Sequence, residues 1–138
     1  GNGGAVNEGS TGTVSFSGQF DPSTADTAAG FHYAYDFNND GTFEVGNGTY
    51  AGSGTSATAT VPARFLADGP GTRTVKGRII DKDGGFTDYT TIITINNVAP
   101  TSTFGNGGAV NEGSTGTVSF SAQRDPSTVD PAAGFHYA

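Results

Sequence analysis

The chain has 138 residues, with 13 Asp and Glu against 6 Lys and Arg, a net charge of -7, 23 Gly, and no Cys, Met or Trp. Without Cys there is no disulfide, thiol nucleophile or zinc–thiolate site. The acidic balance argues against nucleic acid and anionic membrane surfaces, whose binding rests on basic contacts, and no apolar run is long enough for membrane insertion.

Taken from the N-terminus, Val14 and Phe16 alternate with Thr13, Ser15 and Ser17, which predicts a strand over Thr13–Phe20. Asp21-Pro22 is a turn opener. In Phe31–Phe37 the aromatics Phe31, Tyr33, Tyr35 and Phe37 share one face, and His32, Ala34 and Asp36 share the other. Four aromatics on one face make this the expected central core strand. Further strands are expected at Thr42–Val45, Ala57–Val61, Thr72–Ile80 and Phe86–Val98. Asp81–Gly85 is a hairpin turn, since Asp and Gly tolerate positive φ. Pro62–Pro70 is expected as a crossover loop with one helical turn, and Asn96–Thr101 as a junction stiffened by Pro100. No stretch has a 3.6-residue apolar period. The expectation is an all-β fold, an antiparallel β-sandwich, with a small closed barrel as the structural alternative.

The segment Gly1–Ser17 recurs unchanged as Gly105–Ser121, and the match continues so that Gly1–Ala34 aligns with Gly105–Ala138, 104 positions later. The differences are Gly18 against Ala122, Phe20 against Arg124, Ala25 against Val129, and Thr27 against Pro131. A position that takes Phe or Arg is expected at a strand end or on the surface, because a buried unpaired guanidinium is costly. The repeat divides the chain into residues 1–98, a complete unit, and residues 99–138, the opening strands of a second, truncated one. A remnant of that length cannot bury a core of its own. The chain is therefore expected to be a processed product or part of a longer array. Its tail either begins a further unit or donates Thr101–Phe104, which has no upstream copy, to the next chain in head-to-tail polymers.

Tyr33-Ala34-Tyr35-Asp36-Phe37, followed by Asp40-Gly41-Thr42, resembles the Tyr-x-Trp-Asp-Phe-Gly-Asp-Gly motif of the polycystic kidney disease (PKD) domain family. Arg73–Gly85 looks like the final hairpin of that family, and Thr91–Ile95 like its last strand. Tyr35 stands where the family usually has Trp, and Asn38-Asn39 lengthens the loop. The resemblance covers most of residues 10–98. It implies an immunoglobulin-like sandwich in an extracellular or cell-surface protein, acting as a spacer, an adhesive unit or an accessory to secreted hydrolases, and not itself catalytic.

The sharpest local motif is Asp36-x-Asn38-x-Asp40-Gly41-Thr42-x-Glu44. Oxygen ligands at positions 1, 3 and 5, with Gly at 6, match the start of a calcium loop. Asn47 at position 12 and the lack of flanking helices exclude an EF-hand. Calcium would draw on Asp36, Asn38, Asp40, Thr42 and Glu44; the alternative is a plain Asx- and Gly-rich turn with solvated acids. Asp81 and Asp83 form a second acidic turn. His32 and its copy His136 are expected to face outward or toward a sheet edge. Nothing resembles a nucleophile elbow or oxyanion loop, and a carboxylate pair for glycoside hydrolysis among Asp36, Asp40 and Glu44 explains those residues less simply than a turn. Asn47-Gly48-Thr49 is a glycosylation sequon, and Lys76 or Lys82 would be the nucleophile of any isopeptide crosslink.

No enzyme is expected. The leading function is a structural module of an extracellular tandem-repeat protein, a fibre, stalk or adhesin, whose partners are other copies of the same repeat or chain. The alternative is a binding module for a polysaccharide or a surface protein, with Tyr50 and Tyr89 as candidate contact residues.

Overall fold

The computed structural model describes residues 1–138. It is mostly β. Strands β1 (Val6–Asn7), β2 (Gly12–Ser15), β3 (His32–Asp36), β4 (Thr58–Val61), β5 (Gly71–Ile80), β6 (Phe86–Asn96), β7 (Thr101–Asn106) and β8 (Val118–Arg124) are accompanied by a short helix α1 (Thr24–Ala29) between β2 and β3, a 3-10 turn at Ala63–Phe65 between β4 and β5, and a short helix α2 (Asp130–Ala133) after β8.

The largest sheet has the order β1-β6-β5-β3, and β2-β4 and β7-β8 form two-stranded sheets. The β5–β6 hairpin carries the long central ladder, from Gly71 opposite Ile95 to Ile80 opposite Phe86, closed by the Asp81–Gly85 turn. All pairings are antiparallel except one: β1 lies parallel to β6, with Val6 opposite Ile95 and Asn7 opposite Asn96. This corrects the expectation of a wholly antiparallel arrangement. A two-residue strand carries no periodic signal, and its place is set by the partner edge.

Alternation builds the core. On β2 and β4, Gly12, Val14, Ala59 and Val61 turn inward, while Thr13, Ser15, Thr58 and Thr60 face water. From the larger sheet Tyr33, Tyr35, Val75, Ile93 and Ile95 join them, with Phe37 and Leu66 closing the ends, in one buried cluster. Each such large apolar side chain contributes about 1.5–3 kcal/mol by leaving water. Gly77 makes room for one of them: a Cβ there would lie 2.9 Å from two ring atoms of Phe16, whose ring sits over β5.

Three expectations fail locally. Thr42–Val45 is not a strand; only a single bridge joins Val45 to Tyr35, because Asn39 and Gly41 adopt positive φ and coil the chain. The first strand stops at Ser15 rather than Phe20. The turn opened by Asp21 leads into α1, capped by Ser23, whose side chain accepts the Asp26 N–H. Phe20 is 83% exposed, as the Phe/Arg pairing predicts.

The tail follows the first copy closely. Gly105 opposite Ser119 and Asn106 opposite Val118 repeat the pairing of Gly1 with Ser15 and of Asn2 with Val14. The differences are length and burial: β8 runs on to Arg124, whereas β2 stops at Ser15. No residue of β7 is buried, and Phe104 packs on Phe120 and Phe120 on Tyr137, at centroid distances of 4.8 and 5.1 Å.

Candidate functional site

Asp36 ends β3, paired in register with Lys76 of β5. Strand alternation turns it away from the core aromatics, yet it is fully buried, against the expectation of a solvated acid. The segment after the strand folds back over that face: Glu44 and Val45 donate to the Tyr35 carbonyl, and the Tyr33 and Tyr35 N–H groups donate to Gly54 and Val45. A buried carboxylate needs compensation. Asp36 Oδ1 accepts the Asp40 N–H at 3.2 Å, Oδ2 accepts the Gly41 N–H at 2.9 Å, and the Lys76 ammonium lies 3.0 Å from Oδ2.

The rest of the loop closes around this carboxylate. Asp40 accepts the Thr42 N–H at 2.8 Å through Oδ1 and the Asn38 side-chain amide at 2.7 Å through Oδ2. The Thr42 and Asn38 donors hold the Asp40 carboxyl below its ordinary value. Glu44 Oε2 accepts the Phe37 N–H at 2.6 Å. The structure thus brings together the carboxylates of Asp36, Asp40 and Glu44, with one oxygen of each within 4.8 Å of the others. Asn38 Oδ1 is buried without a hydrogen-bond partner. Thr42 joins through its N–H. Beside the cluster, Lys76 and Arg78 lie 5.3 and 5.2 Å from the Phe43 ring, and Arg78 makes a bidentate pair with Asp88 at 2.7 and 2.8 Å.

Two other acidic clusters were not legible as such. Asp21, Asp26 and Asp81 converge beneath α1, where Lys82 supplies the countercharge, 2.8 Å from Asp26. Glu8, Asp125 and Asp130 converge where the tail meets the body of the protein. Glu8 is fully buried; its carboxylate accepts the Gly69 N–H at 2.8 Å and the Val98 N–H at 2.6 Å. Ser127 donates to the Ala67 carbonyl at 2.7 Å, and Gly9 packs against the Pro126 carbonyl. A lone acid after a two-residue strand gives no sequence signal for such a latch.

His32 is half-buried rather than outward: its ring stacks on Tyr50 at 3.8 Å, with Nδ1 2.5 Å from the Tyr50 carbonyl. That contact takes Tyr50 off the exposed surface. Tyr89 is 57% exposed and lines a groove of about 510 Å³ with Phe16, Phe20, Tyr35, Gly77 and Thr87. No helix is long and apolar enough to cross a membrane.

No protein-family model, curated protein or solved structure matches the chain.

Proposed function

We propose that this chain is a structural module of an extracellular tandem-repeat protein, built as a PKD-like, immunoglobulin-like sandwich over residues 1–98, with residues 99–138 opening the next unit. The observation that carries this reading is the joint. Glu8 ties the linker at Val98 to the body, and the Asp125–Asp130 loop of the second copy docks through Ser127 and Pro126 on Ala67 and Gly9 of the first. A joint held on both sides fixes the angle between successive units, as a stalk or fibre needs. Proteins carrying one to four copies of the 104-residue repeat, compared by small-angle X-ray scattering, are expected to lengthen by a constant step per copy. A maximum dimension that saturates, or follows the scaling of a flexible string of beads, removes the stalk reading.

We further propose calcium as the ion of the Asp36 loop, where Asp36, Asn38, Asp40, Thr42 and Glu44 supply oxygens. The support is the convergence of three carboxylates with the unpartnered Asn38 oxygen, a donor set of the hard kind calcium takes. Its role there is to stiffen the loop covering β3.

A further inference from the structure

An Asn followed by Gly carries a latent reaction. The glycine nitrogen, unshielded by any Cβ, can attack the asparagine side-chain amide, close a succinimide ring and expel ammonia. The chain holds three such pairs, Asn2-Gly3, Asn47-Gly48 and Asn106-Gly107, and the fold treats them differently.

In two of them the attacking nitrogen is engaged. The Gly3 N–H donates to the Thr13 carbonyl at 3.0 Å, and the Gly107 N–H to the Thr117 carbonyl at 2.9 Å. Asn2 is held at its leaving group as well, since Nδ2 donates to Thr91 Oγ1 at 2.7 Å and to the Ile92 carbonyl at 2.9 Å. Each of these pairs must give up a hydrogen bond of the fold before it can react. The third pair has no such tie: the Gly48 N–H and the Asn47 Nδ2 donate to nothing in the chain.

The carbonyl side of the Asn47 amide is the reverse case. Its Oδ1 accepts the Thr49 N–H at 3.0 Å and the Thr49 hydroxyl at 2.7 Å. That hydroxyl is itself oriented by the Gly52 N–H, which it accepts at 3.1 Å. Gly52 also seats the amide, because a Cβ there would overlap Asn47 Nδ2, Oδ1 and Cγ. Attack on Cγ turns Oδ1 into an oxyanion, and two donors at these distances stabilise such a charge as it develops. The oxygens of Asn2 and Asn106 have one donor each, the Gly4 N–H at 2.8 Å and the Gly108 N–H at 2.9 Å.

We propose that Asn47 is a self-modification site, with the Gly48 nitrogen as nucleophile and Thr49 as the oxyanion donor. The Gly48 N to Asn47 Cγ bond forms, the Cγ–Nδ2 bond breaks, and Nδ2 leaves as ammonia with the proton that Gly48 gives up. Water then opens the ring at either carbonyl, leaving aspartate or isoaspartate at position 47. No electrons are gained or lost. Both products add a negative charge to the net -7, and isoaspartate also lengthens the main chain of the segment that covers Asp36.

The test incubates the full chain in mildly alkaline buffer and follows the three sites by peptide mapping and mass spectrometry, with an isoaspartyl methyltransferase marking the iso product. Asn47 is expected to lose ammonia at least about fivefold faster than Asn2 or Asn106, the factor that one hydrogen bond is worth. Unfolded in concentrated urea, the three are expected to react at similar rates. Thr49→Val removes the hydroxyl and keeps the N–H, and is expected to slow Asn47 about fivefold, whereas Thr49→Ser is expected to keep the wild-type rate. Thr49 is exposed, and circular dichroism melts check that both variants stay folded. Equal rates at the three sites of the folded protein overturn the proposal. So does a difference that persists in urea, which assigns it to sequence rather than fold, or a Thr49→Val protein that reacts as fast as wild type. The reaction is read on single chains, so its outcome is independent of the stalk reading.

Discussion

Glu8 and Val98 stand 90 positions apart and are joined by a 2.6 Å hydrogen bond, the Glu8 Oε1 atom accepting the Val98 backbone N–H. The other oxygen accepts the Gly69 N–H, so one buried carboxylate fixes the start of the body, its crossover loop and its linker together. Its copy Glu112 is exposed. Replacing Glu8 by Ala strands two backbone donors and removes two charge-assisted bonds, and is expected to cost roughly 2–4 kcal/mol. Glu112→Ala is expected to change stability by no more than about 0.5 kcal/mol. Urea denaturation of the two variants measures both; equal midpoints would show that the latch carries no stability.

The same comparison shows what the sequence could carry. The β5–β6 hairpin was legible because two runs rich in Thr, Val and Ile are joined by an Asp/Gly turn, and the structure pairs them over ten positions. Helix α1 was not, because six residues hold less than two turns and bury only Asp26. Its one sequence signal was Ser23 three positions before Asp26, a capping pattern. At the candidate site, residue spacing pointed to the convergence of Asp36, Asp40 and Glu44. It did not reveal that Asp36 is buried against Lys76, because the chain that covers it, Glu44 to Gly54, has no regular period to read. The groove was beyond reach for a related reason: Tyr89 occupies an inward position by pattern, and only the fold shows that it stays more than half exposed.

Acid and alkali are expected to unfold the protein by separate routes. The ion pair with Lys82, followed by the Ser23 hydroxyl, holds the Asp26 carboxyl below its ordinary value of 3.8. The Arg78 guanidinium does the same for Asp88. A depressed carboxylate stabilises the fold above its unfolded value, and that contribution is lost as pH falls through its folded value. Asp26, with Asp83, raises Lys82 above 10.5. That contribution is complete below the unfolded value and is lost as pH rises through the folded one. From these groups alone, apart from the tail joint, the urea midpoint is therefore expected to be flat from about pH 5 to about pH 9 and to fall on both sides. Asp26→Asn is expected to make both flanks shallower without removing them, since Asp88 keeps its Arg78 partner on the acid side and Lys82 keeps Asp83 on the alkaline side; unchanged flanks assign the slopes elsewhere.

Calcium at the Asp36 loop is expected to raise the melting temperature, and a chelator to reverse the rise, because an ion held only by the folded loop stabilises it by mass action. Asp40→Asn removes a carboxylate while keeping an acceptor for the Thr42 N–H, and is expected to abolish the calcium response with little change in the metal-free melt. The expectation has a clear negative: calcium must draw Asp36 Oδ2 away from Lys76, and if the ammonium holds, chelator and calcium melts will superimpose.

The two copies of one aspartate carry opposite shifts, and the difference lies in their neighbours. Asp26 faces Lys82; its copy Asp130 sits at the joint, where lost hydration, then the charges of Glu8, Asp125 and Asp68, raise its carboxyl above the ordinary value. A raised carboxyl favours the docked state while protonated, and that support is lost as pH climbs through its folded value. Docking of the tail is therefore expected to tighten as pH is lowered from about 7 toward about 4.5, above the range in which Asp26 and Asp88 are lost. Amide hydrogen exchange at Val129 and Asp130, whose N–H groups donate to Ser127 Oγ at 3.0 and 3.2 Å, reads the joint locally, with rates corrected for intrinsic pH dependence. Asp130→Asn removes the repulsion and is expected to give strong protection at every pH in that range. Protection in wild type that stays constant across it means the four acids do not set the strength of the joint, and that the contacts of Ser127 and Pro126 hold it alone.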